Sequence, residues 1–263
     1  MSPDIRVSVI GHGSIGRTVA DRLFSGTMPG VTLVSIVDSA PVTNAPVPQV
    51  DLDKAIEISD VLIECAGQSV VVDHAEAILR AGRDLVISSA GALSDPEFVA
   101  RLRACPGRML CTTGAVGGLD LLSAASDAAP FDSVTVQTTK LPGSLVQSWM
   151  SEERADEIRS TQSALTMFEG GAEEASRLFP RSLNVATAVS FAVSDRDLVQ
   201  VKLIADPAAT LTRHEVIARG PVGNYQFTLE NLPSPENPRT SAIVPFAVLR
   251  TLGVLLGHTG LIG

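Results

Sequence analysis

The segment "VIGHGSIG", residues 9–16, contains three glycines with the spacing G-x-G-x-x-G: Gly11, Gly13 and Gly16. An apolar, strand-like segment precedes these glycines, and an amphipathic pattern with helical spacing follows them. In that setting Gly11 permits a tight turn, Gly13 lets the backbone approach a pyrophosphate, and Gly16 allows close helix–strand packing. We therefore predict a dinucleotide-binding turn of the Rossmann type; the alternative is a strand–turn–helix without a ligand.

The residues around the glycines complete the expected cofactor site. Ser14 and Ile15 begin the helix, whose N-terminus would offer N–H groups and a partial positive charge to the phosphates. Asp38 ends the next predicted strand, where a carboxylate would accept hydrogen bonds from the adenosine ribose. Because Asp38 would repel a 2′-phosphate and no Arg or Lys follows it before Lys54, we predict NAD as the preferred cofactor and NADP as the alternative. His12 is expected to point into solvent.

Short apolar segments alternate with helical patterns as far as about residue 138. Such alternation predicts a parallel sheet covered by helices, because parallel strands need crossover connections. The predicted strands are 5–10, 31–38, 60–67, 84–88 and 108–112. Two turns follow strands of this sheet, at the edge where open α/β sheets bind ligands. The first contains Ala66 and Gly67, and the second is the glycine-rich segment 112–122, for which a structural hinge is the alternative.

The pattern changes after about residue 130. Segment 163–179 predicts two short helices, 183–193 predicts a buried helix, and the consecutive strand-like segments around them predict an antiparallel sheet. A final amphipathic helix, about 241–256, is expected to return to the first domain.

We therefore expect an α/β protein with a Rossmann-type parallel sheet domain and a smaller α+β domain. The dinucleotide-binding domain would span 1–112, completed by 240–263, and the α+β domain would span 113–239. Twenty basic against 29 acidic residues give a net charge of −9, which argues against binding to nucleic acid or to an anionic membrane. Three cysteines without a C-x-x-C pair argue against a metal site and favour a reducing, cytoplasmic location.

Several motifs resemble, in their order along the chain, those of the L-aspartate dehydrogenase family. They are "GHGSIG", "ECAG", "TGAVGGLDLLSAA", "NVATAVSFA", "RHEVIARG" and "ENPRTSA". The resemblance spans about residues 5–255 and implies a Rossmann domain with an α+β catalytic domain, assembled as a homodimer. It also implies oxidation of L-aspartate to iminosuccinate with NAD or NADP. The family's catalytic histidine corresponds to His214, and its cofactor-contacting alanine and asparagine correspond to Ala115 and Asn184.

The expected substrate pocket departs from the family pattern at three places. Thr212 and Ser182 replace residues that are often asparagine in the family, and segment 138–149 matches its usual loop only loosely. A small amino dicarboxylate needs cations or N–H donors. Lys140 and Arg239 are the candidate cations, with Lys140 also a candidate catalytic group. Thr240 and Ser241, at the expected start of the final helix, are candidate donors.

His214 also has a purely structural interpretation. Alternation along "HEVIARG" places it on one strand face with Val216 and Ala218, where a partly buried histidine often has only a packing role. The resemblance favours a catalytic role, since a histidine exchanges protons near neutral pH. Two alternative functions remain for this protein. It could be an imine reductase that acts on another small dicarboxylate, or a non-catalytic NAD-binding sensor.

Overall fold

The computed structural model describes residues 4–179, 184–237 and 240–258. The chain divides into two compact units. Unit 1 comprises the residues up to Gly114 together with those from Val244 onward, and unit 2 comprises Ala115–Ile243. Each unit has its own five-stranded sheet and its own apolar core. None of the described helices is long and apolar enough to cross a membrane.

Unit 1 contains a parallel sheet with the strand order β2-β1-β3-β4-β5. The strands are β1 (Ile5–Ile10), β2 (Val31–Val37), β3 (Val61–Glu64), β4 (Asp84–Ile87) and β5 (Met109–Cys111). The helices between them are α1 (Ser14–Phe24), α2 (Leu52–Ile58), α3 (Gln68–Arg80) and α4 (Pro96–Arg103), with a 3₁₀ turn at Ala90–Ser94. All four residues of β3 are buried, as expected for a parallel strand covered on both faces. The predicted parallel sheet is confirmed.

Unit 2 contains a mixed sheet with the strand order β10-β9-β6-β8-β7. The strands are β6 (Ser133–Lys140), β7 (Leu165–Gly171), β8 (Val199–Ala205), β9 (Thr212–Gly220) and β10 (Gly223–Asn231). The helices are α5 (Leu119–Ala128), α6 (Pro142–Leu145), α7 (Glu152–Ser160), α8 (Ala172–Leu178) and α9 (Asn184–Ala192). One face of the sheet is buried, because alternate residues of β6, β8 and β9 lie on it and the apolar ones among them pack with α8 and α9 in one core.

Two expectations for unit 2 are corrected. Segment 163–179 does not form two helices, because its first half is the strand β7. This strand pairs with β8, and the pairing has a bulge between Thr166 and Phe168. The sheet is not wholly antiparallel either, since β6 and β8 run parallel. The expected buried helix is present as α9.

The last described helix, α10 (Val244–Leu255), belongs to unit 1. It packs against α1, β4 and β5 and contributes Val248, Leu252 and Leu255 to the core of that unit. Pro245 lies in its first turn, where the missing N–H costs no intrahelical hydrogen bond. The predicted return of the final helix is confirmed.

Candidate active site

The glycine turn joins β1 to α1 at the carboxyl edge of the unit 1 sheet. Gly11 has φ +90°, and a Cβ added there would lie 2.7 Å from Cα of Ala66. A Cβ on Gly16 would overlap the carbonyl oxygen of Gly11. In contrast, no described atom lies within 4 Å of a Cβ added at Gly13. The chain's own packing therefore requires Gly11 and Gly16, whereas the space beside Gly13 is open to a ligand.

The first turn of α1 faces the same open space. Gly13 is the N-cap residue and has no side chain with which to cap the helix. Ser14 and Ile15 are its first helical residues, in the turn whose N–H groups have no partners within a helix. A helix start of this kind suits a phosphate group, so the residues present fit the pyrophosphate of a dinucleotide.

Asp38 follows β2 and is tied to the glycine turn. Its Oδ2 accepts a hydrogen bond of 2.7 Å from the N–H of His12, and its Oδ1 accepts one of 2.9 Å from the N–H of Ala40. Since a carboxylate offers about four lone-pair sites, Asp38 retains acceptor capacity for ribose hydroxyls. Asp38 and His12 line a cavity of about 420 Å³ together with Arg17. Arg17 was not among the predicted site residues, because it precedes Asp38 in the sequence and belongs to α1.

The expectation that His12 points into solvent is wrong. Its Nε2 atom is buried and has no hydrogen-bond partner among the described residues. The backbone N–H of His12 donates to Asp38, so the main chain of this residue is fixed in the glycine turn.

The turn after β3 contains Ala66 and Gly67. Their N–H groups donate to Oε1 of the buried Glu64, at 2.8 and 2.7 Å. Consequently these two N–H groups are not available to a ligand, and the turn contributes only its surface beside Gly11. Burial, with a smaller contribution from the charge of Glu64, raises the pKa of the neighbouring Cys65 thiol well above its usual value, so Cys65 is no thiolate nucleophile.

The glycine-rich segment after β5 is partly explained by packing within unit 2. Gly118 has φ +78°, and a Cβ there would lie 2.5 Å from the ring of Phe227. The carbonyl oxygen of Ala115 accepts a hydrogen bond of 3.1 Å from the Asn231 amide. Asn184 is the first residue of α9 and is half-buried.

Polar residues form one end of the buried face of the unit 2 sheet. Thr138 and Lys140 lie on β6, and Thr212 and His214 lie on the adjacent strand β9. All four side chains are buried, with 2% of His214 and 7% of Lys140 exposed. Oγ1 of Thr138 lies 2.9 Å from Nδ1 of His214. This bond orients the imidazole ring and leaves Nε2 as the second nitrogen of a neutral ring.

Burial changes the ionisation of both candidate catalytic groups. It lowers the pKa of His214 to about 3, with the positive charge of Lys140 as a second cause. It lowers the pKa of Lys140 to about 8. Within the described parts of the chain, no carboxylate forms an ion pair with Lys140. His214 is therefore neutral at physiological pH, and Lys140 is a buried cation that has no counter-ion among the described residues.

A cavity of about 540 Å³ in unit 2 begins where β6 ends. Its lining includes Leu141, which follows Lys140, and Thr212, which lies two residues before His214. Arg159 of α7 also lines this cavity, although it is half-exposed and pairs with Glu152 and Asp156. Arg159 and Thr138 are residues that the sequence analysis missed. Thr138 could have been found, because it shares a strand face with Lys140.

The remaining candidates are placed as follows. Arg239 and Ser182 lie outside the described residues. Thr240 and Ser241 are not in the first turn of α10, which begins at Val244. Instead, Ser241 forms an isolated β-bridge with Pro233, so Thr240 and Ser241 lie before that helix and not at its start.

Solved structures and curated proteins similar to this chain have dehydrogenase names. The crystal structure of aspartate dehydrogenase from Thermotoga maritima matches with a TM-score of 0.78 and 28% identity, covering 98% of this chain and 99% of that chain. The L-aspartate dehydrogenase of Serratia proteamaculans is 34% identical over 253 residues, 93% of this chain and 95% of the relative. The L-aspartate dehydrogenase of Methanosarcina acetivorans is 33% identical, covering 96% and 97%.

Two family models match successive parts of the chain. Residues 11–106 match "Homoserine dehydrogenase, NAD binding domain", and residues 120–255 match "Aspartate dehydrogenase, C-terminal". Together with the glycine turn and the Rossmann-type sheet, these matches define a dehydrogenase with a nicotinamide cofactor. More narrowly, the chain belongs to the aspartate dehydrogenase family.

Proposed function

We propose that this protein oxidises the amine of L-aspartate to iminosuccinate, which hydrolyses to oxaloacetate and ammonia. The observation that carries the proposal is the buried Lys140 beside the neutral His214, without a carboxylate partner in the described residues. A buried cation of this kind favours an anionic ligand, because an unpaired charge is costly away from water. A small amino dicarboxylate supplies that charge, and the names of the relatives support aspartate.

For the cofactor, we propose NAD in preference to NADP, with NAD as the hydride acceptor when bound. The open space at Gly13, which is also the N-cap residue of α1, supports pyrophosphate binding, and the remaining lone pairs of Asp38 support ribose binding. Arg17 in the same cavity would lessen the discrimination against a 2′-phosphate. The proposed contacts are Gly11, Gly13, Ser14, Ile15, Gly16, Asp38, Ala66, Gly67, Ala115 and Asn184.

His214 is the proposed general acid–base group, held by Thr138. With a pKa of about 3, it is a weak base in the free protein. A substrate carboxylate next to Lys140 would neutralise one of the two causes of that low pKa. His214 would then accept a proton more readily, either from the substrate amine or from the water that attacks the imine. Substrate charge would thus activate the base.

Lys140 is proposed to bind a substrate carboxylate in its protonated form. Its pKa of about 8 means that the free protein begins to lose this cation just above neutral pH. Arg239, Thr240 and Ser241 remain proposed substrate contacts.

The proposal of a homodimer is supported by the family resemblance and by half-exposed Ile204 and Ile217 on the face of the unit 2 sheet opposite its core. Sedimentation of the purified protein tests this oligomeric state.

The decisive experiment follows reduced nicotinamide by absorbance with a panel of amino acids and, in reverse, with oxaloacetate plus ammonium. We expect NAD reduction with L-aspartate and NADH oxidation in reverse. Turnover of another short amino dicarboxylate but not of aspartate would support the imine reductase alternative. Binding of NAD without turnover of any substrate would support the sensor alternative.

A further inference from the structure

Glu64 is a buried carboxylate that the proposed chemistry does not use. It ends β3 at the carboxyl edge of the unit 1 sheet, and 1% of it is exposed. Five hydrogen bonds end on its two oxygens. The donors are N–H of Ala66 (2.8 Å), Gly67 (2.7 Å), Ser88 (3.2 Å) and Ser89 (2.9 Å), and the Ser89 hydroxyl (2.9 Å).

The two oxygens hold two different turns. Oε1 accepts from both N–H groups of the turn after β3, and Oε2 accepts from the backbone N–H groups of Ser88 and Ser89, which follow β4. The Ser89 hydroxyl reaches across to Oε1. Hydrogen bonds to an ionised acceptor are stronger than neutral ones, and a buried carboxylate requires them. Burial raises the pKa of Glu64, and these donors oppose that rise.

The turn held by Oε1 lies directly against the glycine turn. The contact between Gly11 and Ala66 leaves no space for a Cβ on Gly11. β1 and β3 are neighbours in the sheet, whereas β2 lies on the other side of β1. The strand order therefore changes direction between β1 and β3, and open α/β sheets bind ligands at such a point.

We propose that Glu64 is a positioning residue for the cofactor: its carboxylate joins the turns after β3 and β4 and thereby fixes the surface against which the glycine turn rests. Glu64 acts through Ala66 and Gly11. The inference rests on cofactor binding by unit 1, and it is independent of aspartate as the substrate.

Glu64→Gln tests the proposal with a side chain of nearly the same shape. The amide has one acceptor oxygen, and its NH₂ group would face N–H donors of one of the two turns. We expect the Kd values for NAD and NADH, measured by calorimetry and by NADH fluorescence, to rise about 10- to 100-fold. The KM for NAD should rise similarly, while kcat at saturating NAD and the KM for the amino acid stay within about threefold of wild type.

Asp60→Asn is the matched control at the opposite end of the same strand. Asp60 immediately precedes β3 and accepts a backbone hydrogen bond of 2.9 Å from Arg6. This variant should lower the melting temperature without changing either Kd. If Glu64→Gln does not fold, Glu64→Asp keeps the charge but is shorter, and we expect an intermediate rise in Kd.

Equal Kd values for wild type and the folded Glu64 variants would overturn the proposal and leave Glu64 a purely structural residue. Equal changes in Kd for Asp60→Asn and Glu64→Gln would overturn it too. A lack of NAD binding by wild type would refute the cofactor assignment itself. A lack of aspartate turnover would not affect these binding measurements, so the two failures are distinguishable.

Discussion

Glu64 and Lys140 are the buried charged side chains at the functional ends of the two sheets, and their surroundings differ. Glu64 in unit 1 accepts hydrogen bonds from five fixed donors. Lys140 in unit 2 has no ion-pair partner within the described residues, and burial lowers its pKa to about 8. A charge that the chain satisfies by itself serves the scaffold, whereas a charge that the chain leaves unsatisfied favours a ligand. The proposed cofactor and substrate sites differ in this way.

The largest expected effect comes from His214, the neighbour of Lys140. His214→Ala should fold and bind NAD normally but lose about two to four orders of magnitude in kcat, as is typical of a general acid–base group. His214→Asn should be similarly impaired, because an amide does not exchange a proton near neutral pH. Steady-state kinetics with L-aspartate, alongside melting temperature and NADH binding, measures this. Turnover close to wild type would return His214 to a packing role and direct attention to Lys140.

Lys140→Met should separate stability from activity. The substitution removes a substrate-binding cation, so kcat/KM for L-aspartate should fall about 100-fold, the effect of a lost charged hydrogen bond. It also removes a costly buried charge, so the free energy of unfolding at pH 7 should rise by roughly 1–3 kcal/mol. Urea unfolding measures the second effect.

The pH dependence of that stabilisation has a definite sign. The pKa of Lys140 is about 8 in the folded protein and 10.5 as its ordinary value. The penalty of burying it is therefore complete below pH 8 and vanishes as the pH rises toward 10.5. The difference between Lys140→Met and wild type should shrink over the same window. Destabilisation by Lys140→Met at pH 7 would remove the contrast with Glu64.

A smaller effect is expected from Asp38, which lies in unit 1, as Glu64 does. Asp38→Ala removes a ribose acceptor and a repulsive charge, and it leaves Arg17 in the same cavity. The preference for NAD over NADP should narrow by about tenfold, equivalent to 1.4 kcal/mol. Titration of both cofactors into wild type and variant measures it. A wild-type preference for NADP would contradict the assignment.

The smallest effect is expected from Asn184 at the start of α9. We predict that Asn184→Ala weakens NAD binding several-fold beyond its effect on stability. If Asn184 only caps the helix, the cost is about 1 kcal/mol of stability. Melting temperature and the Kd for NAD, measured on the same samples, separate the two roles: a lower melting temperature with an unchanged Kd identifies a cap.

The parallel sheet and the glycine turn could be predicted because their signals are local. Buried parallel strands are continuous apolar segments, and the demands on Gly11 and Gly16 come from residues that the motif itself positions. The strand β7 could not be predicted from local signals, because its pairing with β8 joins segments about 35 residues apart. In addition, the two glycines within β7 resemble a break between two helices.

The contents of the candidate site were less predictable than its location. Nothing in "DVLIECAG" distinguishes a buried Glu64 from a solvated one, because three of its five donors belong to Ser88 and Ser89 in the turn after the next strand. Likewise, Arg17 lines the same cavity as Asp38 only because α1 packs beside β2. The low pKa of His214 could not be predicted either, because it results from burial by elements that are distant in the sequence. This burial lowers the pKa from its ordinary value of 6.5 to about 3.

The contribution of α10 to the core of unit 1 has a consequence for the order of events on the ribosome. Val248 and Leu252 are fully buried in that core, yet about 130 residues, which include the whole of unit 2, separate β5 from α10. At about 5–20 residues per second, translation takes roughly 7–26 s to cover that interval. Unit 2 is thus synthesised before α10 can cover the apolar side of α1, so this part of unit 1 stays exposed during the interval.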